Sequence, residues 1–377
     1  MTESPFVFGR IAERDNFVDR VPERQRLVDN FTALVNTAIV SPRRWGKSSL
    51  VRRVADDLAL TDSSIKVVMI DLFNVRSEAE FYAQLTEAVL RATTTKLEEW
   101  VDLAGRFLAR LRPVVSISAD HSHSLSLDVD WRQAERGPDE VLDLAEQVAA
   151  AKGWRLVVCV DEFQAIARFA EPLDFQRKLR AHWQQHQRVC YCLYGSRRHM
   201  LLDIFTGPDM PFYRFGDIVT LGKIDNVVWG DFIVARFAAT GKTISATQGR
   251  QIAALVDNHS YYVQQLAQQV WFRTDRVCRD QTIPAALDDL TSQLSLVFTG
   301  LAESLTTRQL RFLQAVIAGQ AALTSQAVIK AYDLGTSANV IRLRRALEDK
   351  EIIDVLDGRV TILDPLFQNW LVTRYFR

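Results

Sequence analysis

No apolar run in the 377-residue chain reaches the roughly 18 residues that a membrane-spanning helix requires. The start, Met1-Thr-Glu-Ser-Pro5, is polar where a secretory leader would be hydrophobic, so a soluble cytoplasmic protein with no membrane partner is expected. Net charge is missing too. The 46 basic residues balance 46 acidic ones, so no global field draws the chain to nucleic acid and any such contact must come from a local patch. Cys159, Cys190 and Cys192 fall in strand-like runs and Cys278 in a helical stretch, none with CxxC spacing, which points to buried thiols rather than disulfides or zinc. There is no nucleophile elbow of the Gly-x-Ser-x-Gly kind and no HExxH. His182 and His186 share i, i+4 spacing without a third ligand and read as a solvent-facing pair, while His121 and His123 read as a polar loop. Short repeats and low-complexity tracts are absent, and the length exceeds one ordinary core, so two or three domains are expected.

What is present begins at Ser41-Pro42-Arg43-Arg44-Trp45-Gly46-Lys47-Ser48-Ser49, between the strand-like Ala38-Ile39-Val40 and a helical segment from Leu50 to Leu60. A loop from a buried strand into a helix N-terminus turns successive backbone N–H groups inward, where they and the helix dipole favour phosphate. Lys47 then reaches the β- and γ-phosphates and Ser48 serves as a Mg²⁺ ligand. Ser41 stands where GxxxxGK[ST] has its first glycine. A second motif supplies the complement. The apolar run Arg155-Leu-Val-Val-Cys-Val160 has the length of a strand buried on both faces and ends in Asp161-Glu162. Asp161 falls where a Mg²⁺ ligand is needed opposite Ser48, and Glu162 is placed to polarise a water for in-line attack.

Up to about residue 215, strand candidates alternate with helical patterns: Thr37 to Val40, Lys66 to Phe73, Leu156 to Val160, Val189 to Gly195 and Ile218 to Leu221. That rhythm predicts a parallel α/β sheet with the nucleotide at its carboxyl edge. Pro113 to Ser118 and Leu125 to Val129 flank a polar stretch and predict an inserted hairpin over about 113–130, before a helix from Pro138 to Ala151. From Asn226 to about Val297 apolar residues recur at three- and four-residue spacing, which predicts a helical lid. Three further helical patterns, Thr307 to Ala318, Ser325 to Asp333 and Ser337 to Lys350, precede a hairpin with its turn at Asp357-Gly358. Three helices and a hairpin predict a winged helix, onto whose wing Leu366, Phe367, Trp370, Leu371 and Phe376 are expected to dock. The boundaries read are 1–222 for the α/β domain, 223–299 for the lid and 300–377 for the winged helix.

Taken together, the whole chain resembles the archaeal-type ATPases of the STAND branch of the AAA+ superfamily. The resemblance rests on Phe6-Val-Phe-Gly-Arg10 with Phe17-Val-Asp-Arg20, the loop ending in Gly46-Lys47, and Val160-Asp-Glu-Phe-Gln164. It continues through Tyr194-Gly-Ser-Arg197, Pro211-Phe-Tyr213 before Ile218-Val-Thr-Leu221, and His259-Ser-Tyr-Tyr-Val-Gln264. It implies an α/β P-loop NTPase of AAA+/STAND type, with Walker A and Walker B motifs, an all-α lid and a C-terminal winged helix. It also implies ATP or ADP with Mg²⁺ as cofactors.

Residue by residue, the resemblance makes Phe17 and Arg20 candidates for the adenine pocket, although Phe17 fits a core equally well. Ser196 matches the polar sensor beside the γ-phosphate. Arg197 and Arg198 follow, either as γ-phosphate contacts in cis, as a finger for a neighbouring subunit, or as solvated surface arginines. His259 matches the lid histidine that approaches the phosphates, with Ser260 where a proline is usual, and equally fits a packing role; Tyr261 is a further candidate contact. Arg342, Arg344 and Arg345 offer contacts to DNA or to a partner, but Asp333, Glu348, Asp349, Glu351, Asp354 and Asp357 are interspersed with basic residues. The implied function is a slow ATPase that switches conformation with nucleotide and acts on a protein partner or effector. A DNA-binding, origin-initiator-like ATPase and a nucleotide-stabilised scaffold are the alternatives, and the oligomeric state is open.

Overall fold

The computed structural model describes residues 4–12, 16–94, 114–117, 125–128, 137–356 and 358–377. They form two compact units, one from Arg20 to Gly222 and one joining Met1–Asp19 to Lys223–Arg377.

The first unit is built on a five-stranded parallel sheet in the order β2-β5-β6-β1-β7. Its strands are β1 (Thr37–Val40), β2 (Ile65–Asp71), β5 (Arg155–Asp161), β6 (Val189–Gly195) and β7 (Asp217–Thr220). β1 and β6 are buried along their whole length, as their unbroken apolar runs require when both faces are covered. Helices α1 (Val21–Thr32), α2 (Lys47–Thr61), α3 (Glu78–Thr93), α4 (Gly137–Lys152), α5 (Pro172–Trp183) and α6 (Arg198–Thr206) connect them. An aromatic group helps to fill the core: Trp183 stacks on Tyr191 with centroids 3.9 Å apart, and Phe163 meets Phe212 edge-on at 5.3 Å. Strand order decides where chemistry can occur. β6 separates β1 from β5, so the loop after β1 and the acids ending β5 flank one crevice at the carboxyl edge.

Where an inserted hairpin is expected, β3 (Val114–Ile117) and β4 (Leu125–Asp128) pair antiparallel. His121 and His123 lie outside the described residues.

In the second unit, α7 (Asn226–Ala238) and α8 (Ala246–Leu255) cross closely. A Cβ on Gly249 would lie 2.9 Å from the Gly230 carbonyl oxygen, so the crossing depends on glycine. α9 (Ser260–Phe272) and α10 (Thr282–Gln293) complete the lid pattern. Cys278 is buried in an extended segment between them, beside a bridge from Thr243 to Val277, rather than in the expected helix. The amino-terminal segment is stitched to α9 by glutamines: Gln264 Oε1 accepts from Val7 N at 3.4 Å, and Gln268 Nε2 donates to Ser4 Oγ at 3.0 Å.

Beyond α11 (Ser295–Glu303), helices α12 (Thr307–Ile317), α13 (Gln326–Tyr332) and α14 (Ser337–Asp349) lead into the antiparallel wing β8 (Ile353–Leu356) and β9 (Arg359–Ile362). Thr306 and Gln309 close a reciprocal capping box on α12. The last helix, α15 (Pro365–Trp370), buries Leu366, Phe367 and Trp370. Phe298 of α11 meets the Phe367 and Trp370 rings at 5.5 and 6.1 Å, Tyr375 meets Trp370 at 5.4 Å, and Trp370 Nε1 donates to Ser295 Oγ at 2.8 Å. Asn369 Nδ2 adds a bond to Thr291 Oγ1 of α10 at 3.1 Å, and Leu366, Phe367, Trp370 and Leu371 share one hydrophobic core with the wing residues Ile353 and Ile362, so the stripe meets α10 and α11 as well as the expected wing. Among the described residues, no helix is long and apolar enough to cross a membrane.

Candidate functional site

The loop after β1 turns through two left-handed residues, Arg44 at φ 63° and Gly46 at φ 93°. The second caps α2, and only glycine takes that conformation without strain. Lys47 follows as the first residue of the helix and is 6% exposed. Its Nζ donates to the Ser41 carbonyl at 2.9 Å, the Pro42 carbonyl at 2.7 Å and Ser41 Oγ at 3.2 Å. A buried ammonium without partners would be costly, and these oxygens satisfy it. Ser41, the residue replacing the motif's first glycine, thus supplies two of the lysine's acceptors, a role the motif comparison does not reveal. Arg43 and Arg44 are exposed, while Pro42 is buried and Trp45 and Ser49 are half-buried. Arg20, buried at the N-cap of α1, donates to the Trp45 carbonyl at 3.2 Å and to Glu23 at 3.1 Å, which fixes it beneath this loop.

Across the crevice, Ser48 Oγ donates to Asp161 Oδ2 at 2.7 Å, and the Glu162 amide donates to Asp161 Oδ1 at 2.8 Å. Burial pushes the Asp161 carboxyl above its ordinary value; the two hydrogen bonds oppose this, and the charges of Glu162 and Asp71 add to it. Asp71 is its register partner on β2. Glu162 adopts a left-handed conformation at φ 53°, at the start of a short 3₁₀ turn (Phe163–Arg168). Its Oε2 accepts from Ser196 Oγ at 3.0 Å and from Gln164 Nε2. Arg197 caps α6 and its Nη1 lies 3.9 Å from Met200 Sδ; Arg198 opens that helix.

The structure therefore brings Arg20, the loop Ser41–Ser49, Asp161, Glu162 and Ser196 together in one unit. Phe17, His259 and Tyr261 belong to the other unit. There His259 is buried ahead of α9 with its ring 4.9 Å from Tyr262, and Tyr261 meets Phe8 edge-on at 5.5 Å. Arg342 and Arg345 are exposed on α14, whereas Arg344 is half-buried with Glu348 3.9 Å away.

The histidine pair departs from expectation. His182 Nδ1 lies 2.8 Å and His186 Nε2 3.2 Å from the same Asp143 Oδ1, and the His186 side chain is only 3% exposed. Spacing showed that they share a face; that face meets α4 rather than solvent. Burial lowers the His186 pKa, despite the opposing effect of Asp143.

The donor set suits a hard cation that draws most of its oxygen ligands from outside the protein. Ser48 and Asp161 present oxygen ligands side by side. Among the described residues there is no cluster of three or more His, Cys, Asp or Glu placed to hold a metal ion by itself. Mg²⁺ is commonly bound through one or two protein oxygens together with phosphate, so these residues fit it.

A family model described as a probable winged helix domain matches residues 296–373. No curated protein matches the chain. Among solved structures, a Walker-type ATPase of Pyrococcus abyssi is similar at TM-score 0.67 and 16% identity, covering 98% of this chain and 99% of that one. The Aeropyrum pernix ORC2 protein, in ADPNP-ADP complexes, is similar at 0.57 and 13% identity, covering 99% and 100%. The Aeropyrum pernix ORC1 protein in complex with DNA gives 0.50 and 13%, covering 100% and 99%. At these identities the likeness is one of fold. This chain has the α/β P-loop fold found in AAA+ ATPases, with a winged helix at its carboxyl end.

Proposed function

We propose that the protein binds ATP with Mg²⁺, hydrolyses it slowly, and uses the difference between ATP and ADP to change its conformation and act on a protein partner. The observation that carries this reading is the convergence of Lys47, the Ser48–Asp161 pair and the Glu162–Ser196 pair at the carboxyl edge of one sheet. Backbone N–H groups of the loop and the N-terminus of α2 favour the phosphates, and Lys47 exchanges its loop carbonyls for phosphate oxygens. Ser48 and Asp161 would hold Mg²⁺, which would supply charge neutralisation to the phosphate groups. Glu162 accepts a proton from the attacking water as its oxygen bonds to the γ-phosphorus. The bond to the bridging oxygen breaks and ADP leaves with that electron pair. Ser196 holds the carboxylate of Glu162 and is the polar group through which the site distinguishes ATP from ADP. A ligand shifts conformation only through such differential contacts. Arg197 and His259 are the next candidates for sensing the γ-phosphate. ATP as substrate is consistent with a cytoplasmic location.

The site assignment is tested by calorimetric titration of ATP into the wild type and Lys47→Ala. The variant is expected to lose about tenfold or more in affinity, since a charge-assisted hydrogen bond contributes roughly 1.5–3 kcal/mol. Equal affinities would overturn it.

A second reading, DNA binding through the winged helix, is favoured by the exposure of Arg342 and Arg345 on α14 and by the likeness to a DNA-complexed ORC1 protein. It predicts duplex binding that weakens steeply with salt and is reduced in Arg342→Ala.

A further inference from the structure

Gln164 belongs to the same short motif as Asp161 and Glu162, and the reaction outlined above gives it no part. We propose that Gln164 is a positioning residue for Glu162, and that Gly195 is glycine so that the Gln164 carboxamide can occupy the space beside β6. This rests on the reading of Glu162 as the group that accepts the proton from water.

Gln164 lies two residues beyond Glu162 in the 3₁₀ turn, where the left-handed backbone of Glu162 and the Ala165 N–H donating to the Glu162 carbonyl at 2.8 Å double the chain back. The reversal brings the Gln164 side chain onto the glutamate that precedes it, and Nε2 donates to Glu162 Oε2. Ser196 Oγ donates to the same oxygen at 3.0 Å. Two donors from different elements, one on the turn after β5 and one at the end of β6, therefore fix a single oxygen. This sets the direction of the carboxylate and leaves Oε1 as the oxygen available to water.

Two observations distinguish this arrangement from an ordinary buried glutamine. Gln164 is 4% exposed, yet its Oε1 has no hydrogen-bond partner. An unsatisfied buried acceptor destabilises a fold, and an apolar side chain of the same length would avoid the cost; such exceptions in native structures call for an explanation. The second is the space itself. A Cβ on Gly195 would lie 1.9 Å from Gln164 Oε1, 2.9 Å from its Cδ and 3.2 Å from the Glu162 Cα. Gly195 has an ordinary negative φ, so this is a matter of room rather than backbone freedom. It is paired with Val40, immediately before the phosphate loop, and precedes Ser196. The missing side chain thus admits the carboxamide where β6 passes the loop and the acids.

The decisive variant is Gln164→Met, which keeps length and volume while removing both the donor to Glu162 and the unpartnered acceptor. Two readouts are needed. With ATP and Mg²⁺, kcat is expected to fall by about 10-fold to 10²-fold, the scale of a misplaced reacting group, while ATP affinity and melting temperature hold or rise. A residue that only fills the core would leave kcat unchanged. The second readout is independent of turnover. In protein labelled with ¹⁵N-glutamine, the side-chain NH₂ signal absent from Gln164→Met is the Gln164 resonance, and it should shift in Glu162→Ala. If wild-type kcat persists in Gln164→Met, or if that signal is unmoved in Glu162→Ala, Gln164 does not position Glu162. If the wild type shows no turnover while the signal does shift, the hydrogen bond stands and the hydrolytic reading of the site is what fails.

Discussion

Asp161 shows how one residue carries opposing demands. The Mg²⁺ role proposed for it requires an acceptor, yet burial pushes this carboxyl toward its protonated form. Because its pKa is raised above the ordinary 3.8, its contribution to stability is fully present below that value and is lost as pH rises through the folded value. At neutral pH the half-buried charge is therefore a net cost. Asp161→Asn retains an acceptor for the Glu162 amide and a polar group facing Ser48. It should melt no lower than the wild type at neutral pH, with the difference shrinking on acidification, while Mg²⁺-dependent activity is lost. Calorimetric scans across that range check the sign; a variant much less stable at neutral pH would contradict it. At this scale the sequence was partly legible. That Lys47, Ser48, Asp161 and Glu162 would lie close together could be read from two motifs, each at the carboxyl end of an apolar strand-like run. The Ser41 hydroxyl on Lys47 and the Gln164 amide on Glu162 could not, because both contacts depend on left-handed turns that no spacing rule reports.

Among the elements, the strands were the easiest to anticipate, since β1, β5 and β6 are buried on both faces and written as continuous apolar runs. The winged-helix elements followed from helical periodicity and a turn signal. What periodicity does not supply is the identity of the packing partner. His182 and His186 proved to share Asp143, and the stripe in α15 meets α10 and α11 as well as the wing. The glutamines of α9 look like an ordinary polar face until Gln264 and Gln268 are seen holding the amino-terminal segment. One element depends on a single carboxylate. Asp364 Oδ1 accepts from the Leu366 and Phe367 amides at 2.9 and 3.0 Å, and Oδ2 accepts from the Tyr262 hydroxyl of α9. Asp364→Ala is expected to cost about 1–2 kcal/mol, the scale of a lost N-cap, and Tyr262→Phe less. Denaturant unfolding followed at α15 would show this, and an unchanged midpoint for Asp364→Ala would rule out the cap.

At the scale of the whole molecule, two units divide the candidate residues. The loop and its acids belong to the unit Arg20–Gly222, while Phe17, His259 and the winged helix belong to the other. A protein of this organisation, with charges balanced overall, has no global field to recruit nucleic acid. The proposed nucleotide switch depends on a partner surface or on a local patch such as that of α14. Its first requirement is that the site turns over ATP through Glu162. The direct test is Mg²⁺-dependent ATP turnover of the wild type beside Glu162→Gln, with ATP binding measured on both. The account predicts slow turnover by the wild type, retained ATP binding by the variant, and a loss of rate of roughly 10²-fold or more, as expected when a general base is removed. Equal rates in the two proteins, or no ATP binding by either, would contradict it.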